Sequence, residues 1–257
     1  MRPLCDRAAL IAERLMALAA GMAEPVEKPR RRLTGAVVPA LAVAGIAAIG
    51  AMWLVGANGI GGKQAAAPRD CILENIDAVG GPIDLVDANG ARVTQADFAG
   101  DPAVLYFGFT HCPDMCPTSM YALAEALAQP GGYDVQPILV TVDPERDTTE
   151  RMREYTQTQG FPPGLVGLTG SRTQVAAAAS AFQVYHQKVE IPGAPADVYN
   201  VDHSSLLYVV DGNWRTVAAI QTMRRQNPMD PRSAMAPAAP ADIAACIAAG
   251  LERADRS

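Results

Sequence analysis

Apolar and charged positions divide the chain into an uncharged N-terminal stretch and a longer region where short apolar segments alternate with polar turns. No Asp, Glu, Lys or Arg lies between Arg32 and Lys63. About 20 apolar residues suffice for a helix to span a bilayer core, so this stretch predicts one transmembrane helix. We therefore expect four parts, namely a cytoplasmic segment at 1–32, an anchor at 33–57, a linker at 58–69 and a folded domain at 70–257.

Within the predicted domain, segments with the periodicity of strands alternate with segments of helical spacing. The predicted strands cover 83–86, 103–109, 135–142, 184–189, 206–210 and 216–220, with a short apolar segment at 165–168. The predicted helices cover 118–128, 171–182 and 241–253, and another begins at Asp147, whose place three residues before Glu150 is typical of an N-cap. Residues 221–240 contain four prolines and are predicted to form a loop. This order is typical of an α/β sandwich of thioredoxin type.

Positive charges flank the predicted anchor unequally. Before it lie Lys28, Arg30, Arg31 and Arg32, and after it lie Lys63 and Arg69. Because Lys and Arg favour the cytoplasmic side, we expect a single pass with the N-terminus in the cytoplasm and the domain outside. A cleaved signal peptide is the competing interpretation, but the charged region before the apolar run is long for that class. Asp6 and Glu13 also favour a bacterial inner membrane and a periplasmic domain over a mitochondrial leader, which is poor in acidic residues.

The net charge differs between the two sides of this anchor. Residues 1–62 carry 7 Lys+Arg against 4 Asp+Glu, and residues 63–257 carry 14 against 23, which together give the −6 of the whole chain. Nucleic-acid binding requires a basic surface. The acidic outer domain therefore argues against a nucleic-acid partner.

Two cysteines follow the apolar run at 103–109, within Phe107-Gly-Phe-Thr-His-Cys-Pro-Asp-Met-Cys-Pro117. Residues four apart share one face if this segment starts a helix, and a helix N-terminus favours the thiolate form. Thiolates are the ligands that Cu(I) prefers. Cys112 and Cys116 are therefore predicted to hold a soft metal ion or to form a redox pair, and the alternative is a structural disulfide.

Three histidines are candidates for a third ligand, because imidazole helps a site to accommodate Cu(II). His203 precedes the strand at 206–210. In a thioredoxin-like sheet the loop before that strand lies beside the loop that carries Cys112 and Cys116, which we call the thiol loop. His111 adjoins Cys112, so its side chain is expected to point away from the sulfurs, and His186 is interpreted as a surface or sheet residue in mid-strand. The alternative for His203 is an ordinary hydrogen-bonding histidine before a strand.

Three aspartates and two further cysteines complete the candidates. Asp114, Asp143 and Asp202 could orient the ligands from outside the site, and each is also compatible with an ordinary structural aspartate. Cys71 and Cys246 flank the domain and could form a structural disulfide, or they could be two unrelated small buried residues. Sequence alone does not fix the connectivity.

The segments 107–117, 140–148 and 201–205, in this order, resemble the SCO/SenC family of membrane-anchored copper chaperones. The resemblance covers roughly residues 75–220 and the anchor. It implies that Cys112, Cys116 and His203 bind one copper ion per chain, as Cu(I) or Cu(II). The long N-terminal extension, Cys71, Cys246 and the segment 221–240 depart from the family pattern.

The resemblance also implies a function. It indicates a metallochaperone, not an enzyme, that supplies copper to the binuclear copper centre of cytochrome c oxidase subunit II. The implied partners are subunit II, a periplasmic copper donor or thiol reductant, and the inner membrane. The alternative is a thiol–disulfide oxidoreductase that reduces the cysteines of that centre.

Two features of the residues favour metal binding over disulfide exchange. Thioredoxin-type enzymes have two residues between their cysteines, and this chain has three. Such enzymes also carry a proline before the strand that faces the thiols, where this chain has His203. A third possibility, a peroxidase of the same fold, is disfavoured because it would use one activated cysteine without a close second thiol.

Overall fold

An eight-stranded mixed sheet forms the centre of the described part of the chain. The computed structural model describes residues 68, 71–130, 133–227, 229–230 and 232–256, which belong to one compact unit, Ala65–Ser257. The predicted segment 1–32 and anchor 33–57 lie outside these residues, as does nearly all of the linker. Among the described helices, none has both the length and the apolar character needed to cross a membrane.

The strands are β1 Cys71–Ile72, β2 Asp84–Asp87, β3 Arg92–Thr94, β4 Ala103–Gly108, β5 Gln136–Thr141, β6 Val166–Thr169, β7 His186–Glu190, β8 Tyr199–His203, β9 Leu206–Val210, β10 Thr216–Gln221, β11 Met223–Arg225 and β12 Met235–Pro237. The α-helices are α1 Met115–Leu127, α2 Thr149–Thr156, α3 Arg172–Ala181 and α4 Pro240–Ala254, and a 3₁₀ helix covers Gln95–Phe98. The main sheet has the order β1-β10-β9-β4-β5-β6-β2-β3. The predicted mixed α/β class is therefore confirmed.

The two central strands, β4 and β5, form the core of this sheet. They run parallel, with Ala103 opposite Gln136 and Gly108 opposite Thr141. Every residue of β4 is buried, as expected for an apolar strand covered on both faces. α1 packs against α4, and α4 packs against β10 and β9. The end of β4 is consequently a fixed point from which the next loop leaves the sheet.

A disulfide joins Cys71 on β1 to Cys246 on α4, with a Cα–Cα distance of 5.5 Å. The Cys246 side chain is fully buried. The bond links residues 175 positions apart, so it closes a loop around almost the whole domain. It connects the edge strand of the main sheet to the last helix, a pairing that the sequence left open.

The predicted loop at 221–240 is wrong in part, because this segment contains a short hairpin. Met223 of β11 lies opposite Pro237 of β12, and Arg225 lies opposite Met235. Met223 is buried, which explains why the chain turns back here. Pro237 is the last residue of β12, and proline is tolerated at an edge or strand end where no ladder donor is required.

The predicted N-cap of α2 is also wrong by one residue. Thr148 occupies the N-cap position, and its hydroxyl accepts a hydrogen bond from the N–H of Arg151 at 3.3 Å. Asp147 is instead fully buried. Its carboxylate lies at the ends of β4 and β5 and accepts hydrogen bonds from Thr110 and Thr141 instead of from the N-terminus of α2.

His203 lies in a strand, where the sequence predicted a loop. It is the last residue of β8, which pairs with β7 in a separate two-stranded antiparallel sheet. Tyr199 and Val201 of β8 are buried, and the polar residues that alternate with them are exposed. Because the strand has only these two buried apolar residues, its period-two pattern is weak and hard to recognise in the sequence. We call β7 and β8 with their connection, residues 186–203, the outer hairpin.

Candidate metal site

The two cysteines lie in and just after the loop between β4 and α1. β4 ends at Gly108, and α1 follows Asp114 in the N-cap position. The Cys112 N–H donates to the carbonyl of Phe109 at 3.3 Å, which tightens the loop into a turn. The Cys116 N–H donates to the Sγ of Cys112 at 3.3 Å. The first turn of α1 therefore brings both sulfurs to one point, as the four-residue spacing predicts.

Gly108 provides the space for one of these sulfurs. A Cβ at this position would lie 2.8 Å from the ring of Tyr106 and 3.1 Å from the Sγ of Cys116, well inside normal carbon contact distances. The Tyr106 hydroxyl donates towards the same sulfur at 4.0 Å. Burial, and next the nearby Cys116, raise the pKa of Tyr106, so it remains a neutral donor.

The imidazole of His203 faces the sulfurs from the outer hairpin. Its Nδ1 lies 2.9 Å from the carbonyl oxygen of Ser204, and an N–H donated to this oxygen leaves Nε2 with a free lone pair. Nε2 lies 3.4 Å from the Sγ of Cys116. Edge-on contacts with Tyr106 and Phe109, at ring centroid distances of 6.0 and 5.7 Å, hold the ring in this orientation.

The structure thus brings two thiols and one imidazole together from distant parts of the chain. One ligand atom each from Cys112, Cys116 and His203 lies within 4.8 Å of the others. In the described part of the chain this is the one such group of three or more His, Cys, Asp or Glu side chains. Two sulfurs and one nitrogen form a soft donor set that fits Cu(I), and the imidazole also suits Cu(II).

The two thiols differ in their proton affinity. A hydrogen bond from the Cys116 thiol, supported by backbone N–H groups of Cys116 and Asp114, outweighs the opposing effect of burial and lowers the pKa of Cys112 to about 4. Burial, and then the neighbouring Cys112, raise the pKa of Cys116 well above its usual value. Cys112 is therefore a half-exposed thiolate at neutral pH, and Cys116 is a buried thiol that donates to it.

The other two histidines lie outside this cluster. His111 Nδ1 lies 3.1 Å from the hydroxyl of Thr110 and 3.6 Å from the carboxylate of Asp147. His186 is the first residue of β7, and so is not in mid-strand, and it lies directly opposite His203 in the hairpin register. Neither ring therefore belongs to the group formed by Cys112, Cys116 and His203, although His186 shares a hairpin with His203.

The three candidate aspartates contact other groups. The Asp114 carboxylate accepts from Thr118 at 3.4 Å, and only its backbone N–H favours the Cys112 thiolate. Asp202 is exposed on β8. Asp143 accepts from the hydroxyl of Tyr199 at 2.7 Å and from Nε of Arg146 at 2.6 Å. Within the described residues, their carboxylates make no hydrogen bond to the three ligand side chains.

Asp143 belongs to a cluster that fastens the outer hairpin to the main sheet. The Arg146 guanidinium lies 3.6 Å from the centre of the Tyr199 ring, and its Nη1 donates to the Tyr199 carbonyl at 3.0 Å. Lys188 lies 3.9 Å from the centre of the same ring. We call Asp143, Arg146 and Tyr199 the hairpin clamp. Sequence reasoning missed Arg146 and Tyr199, since nothing in their local pattern indicates that they meet.

Asp147 has a different role from the N-cap that the sequence predicted. Its carboxylate accepts from the N–H of Thr110 at 3.0 Å, from the Thr110 hydroxyl at 2.7 Å and from the Thr141 hydroxyl at 2.6 Å. Buried carboxylates persist where such donors satisfy them. Asp147 therefore fixes the start of the thiol loop to the end of β5.

Known proteins share this architecture and much of this sequence. Residues 73–234 match the SCO1/SenC family. The chain is 42% identical over 151 residues to "Protein SCO1 homolog 1, mitochondrial" of Arabidopsis thaliana, covering 58% of this chain and 44% of that protein. It is 44% identical over 142 residues to the human "Protein SCO2 homolog, mitochondrial", covering 52% of this chain and 51% of that protein. The match therefore spans about half the length of these curated relatives.

A solved structure extends the comparison to three dimensions. The structure of Bradyrhizobium japonicum ScoI with copper bound has a TM-score of 0.52 to this chain at 34% identity. The match covers 68% of this chain and all of the other. The fold around the three clustered side chains is thus similar to that of a protein described with copper bound.

Proposed function

The chain belongs to the SCO1/SenC family, and we propose that it is a membrane-anchored copper metallochaperone that supports assembly of cytochrome c oxidase. It binds one copper ion through Cys112, Cys116 and His203. It passes the ion to the binuclear copper centre of oxidase subunit II by exchange of ligands, so no substrate is converted. A periplasmic copper donor loads it.

The observation that carries this proposal is the distance of at most 4.8 Å among the three ligand atoms. Two of them come from one helical turn, and the third comes from the outer hairpin, 87 residues from Cys116. A lone thiol pair is equally suited to disulfide chemistry. An imidazole whose lone pair faces the sulfurs adds the nitrogen ligand that copper, and especially Cu(II), requires.

The predicted placement in the cell completes this proposal. Residues 33–57 cross the bacterial inner membrane once, residues 1–32 remain in the cytoplasm, and the linker 58–69 leads to the periplasmic domain 70–257. The Cys71–Cys246 disulfide supports this placement, because disulfides persist in oxidising compartments. A reporter that is active only in the periplasm, fused after residue 257, tests it. An inactive reporter there, with an active one fused at the N-terminus, would overturn the orientation.

Copper titration of the full chain in detergent tests the function. We expect one Cu(I) and, in a separate titration, one Cu(II) per chain, each with sulfur ligands visible by X-ray absorption. A strain that carries Cys112→Ser and Cys116→Ser should fail to assemble the oxidase. Normal oxidase assembly in that strain would reject the proposal, and so would a wild-type chain that binds no copper.

The unequal protonation of the two thiols favours a second function, reduction of the cysteines in the subunit II centre. The Cys112 thiolate attacks one sulfur of the target disulfide, which breaks, and the other target sulfur leaves as a thiolate and takes the Cys116 proton. The Cys116 thiolate then attacks the Sγ of Cys112. This attack breaks the mixed disulfide, and the second target sulfur leaves as a thiolate that takes a proton from water. Cys112 and Cys116 thereby lose two electrons to form a disulfide, the target is released as a dithiol, and a periplasmic dithiol reductant restores the pair by disulfide exchange.

Copper-free protein separates the two functions. We mix the reduced chain with subunit II whose centre cysteines are oxidised, and we measure free thiols on subunit II. A reductase produces two target thiols per turnover without copper. A pure metallochaperone produces none, but it transfers copper to subunit II that has been reduced beforehand.

A further inference from the structure

We infer that His186 supplies a second imidazole to Cu(II) bound at the thiol site, while Cu(I) is held without it. This inference rests on the proposed copper-binding function and adds a residue to the same site. It depends on three features of the outer hairpin, namely its register, the surroundings of the His186 ring, and the number of ligand atoms already present.

The register places His186 and His203 on the same face of the hairpin. They are direct cross-strand partners, and directly opposite residues in an antiparallel pair project to the same side. The neighbouring pair Tyr185 and Ser204 is joined by a backbone hydrogen bond of 2.9 Å. Because hydrogen-bonded and non-hydrogen-bonded pairs alternate, His186 and His203 form the closer, non-hydrogen-bonded kind.

The His186 ring has an unused polar atom. Its Nδ1 is buried and has no hydrogen-bond partner among the described residues. A buried ring nitrogen without a partner is costly, so its retention on the face that carries His203 calls for a ligand that satisfies it. A metal ion bound beside His203 is such a ligand.

The number of ligand atoms gives His186 a role in one oxidation state. Cu(I) is satisfied by low coordination with two thiolates, whereas Cu(II) prefers a tetragonal site with additional nitrogen or oxygen ligands. Cys112, Cys116 and His203 supply three ligand atoms. His186 is not a member of this group, so coordination requires rotation of its side chain, which partial exposure permits.

Pulsed electron paramagnetic resonance of the Cu(II)-loaded full chain tests this inference, because it counts imidazole ligands from their remote nitrogens. We expect two imidazoles in the wild type, and one in both His186→Ala and His203→Ala. Residues that only orient a metal ligand already contribute about 10–100-fold to metal affinity. Loss of a direct ligand in His186→Ala should therefore lower the Cu(II) affinity at least tenfold. Its Cu(I) affinity should remain that of the wild type.

Gln187→Ala is the matched control, because residue 187 is the next position of β7 and projects to the other face. It should keep both imidazoles and both affinities. A wild-type imidazole count in His186→Ala would overturn the inference, and so would a parallel loss of Cu(I) binding, which would indicate a structural role. Failure of the wild-type chain to bind copper in either state would instead reject the proposed function itself.

Discussion

The thiol loop and the outer hairpin contribute to the same site, but they are built in different ways. The thiol loop continues from a fully buried strand of the eight-stranded sheet into the first turn of a helix. The outer hairpin forms a two-stranded sheet of its own, with four of the five β7 residues exposed. The backbone of the loop and of α1 positions the sulfurs, whereas side chains of the hairpin clamp hold the hairpin that carries the imidazole.

Because of this difference, we expect the affinities for Cu(I) and Cu(II) to depend on different regions. Cu(I) needs few ligands besides the two sulfurs, so its affinity should depend mainly on the geometry of the thiol loop. Cu(II) needs nitrogen as well, so its affinity should follow the position of the hairpin. A change in the hairpin should therefore alter the preference between oxidation states, and a change in the loop should abolish binding altogether.

Replacement of the sulfurs should have the largest effect. Cys112→Ser and Cys116→Ser, singly or together, should abolish binding of Cu(I) and Cu(II), because a hydroxyl is a poor ligand for soft copper. Competition titration with chelators of known affinity measures both states. Retention of Cu(I) by either single variant would show that the loop does not control binding.

Loss of the Cys71–Cys246 disulfide should affect the main sheet and leave the ligand set unchanged. In the chain-entropy model, a bond that closes so long a loop stabilises by roughly 4–5 kcal/mol. The double variant Cys71→Ser, Cys246→Ala should lose that amount in the free energy of unfolding, measured by urea denaturation. Cys71→Ser and Cys246→Ala as single variants should each lose as much. Equal stability of the wild type and double variant would contradict the expectation.

Removal of the imidazole should separate the two copper states. His203→Ala should weaken Cu(II) by more than the ~10–100-fold typical of an outer-shell partner, while Cu(I) keeps both sulfurs and changes less. Isothermal titration in each oxidation state gives the ratio. Equal losses for Cu(I) and Cu(II) would remove the proposed division between loop and hairpin.

Weakening of the hairpin clamp should give a smaller effect in the same direction. Tyr199→Phe removes the hydrogen bond of 2.7 Å to Asp143 but keeps the ring under Arg146. We expect the Cu(II) affinity to fall by up to ~10-fold, the lower end of the range for groups that orient a ligand. Tyr133→Phe, at a hydroxyl that bonds Glu252 instead, is the control and should bind copper as the wild type does.

The smallest expected effect is on the pH dependence of the alkylation rate of Cys112. Because the pKa of Cys112 is lowered to about 4, its thiolate form is complete at pH 6 and above. The alkylation rate of the reduced, copper-free chain should therefore be flat between pH 6 and 8, where an ordinary thiol would gain about tenfold per unit because its pKa is near 8.5. Cys112→Ser should abolish this fast phase, since the pKa of Cys116 is raised.

The loop was predictable from sequence because its determinants are local. An apolar run, two cysteines four apart and a proline in the first helical turn fix a strand, a turn and a helix start within a few residues. The structure accordingly places Cys112 and Cys116 in contact through the first turn of α1. The mixed α/β class followed from the same kind of periodicity.

The hairpin and the supporting polar groups were not predictable in this way. β8 has few apolar residues, so its sequence resembles that of a loop. Arg146 contacts Tyr199 only because the fold brings the end of β5 close to β8. Asp147 has the local pattern of an N-cap, yet tertiary donors from Thr110 and Thr141 occupy its carboxylate. Such contacts depend on the whole fold and leave no short-range signal.

Gly108 limits how this centre can vary between proteins or by engineering. The volume that any larger residue would need is already filled by the Tyr106 ring and by the sulfur of Cys116. Even one added methyl group would therefore push the sulfur away from its partners or displace a buried aromatic ring. Redesign of the centre for a bulkier metal should consequently leave position 108 untouched and enlarge the solvent-facing side.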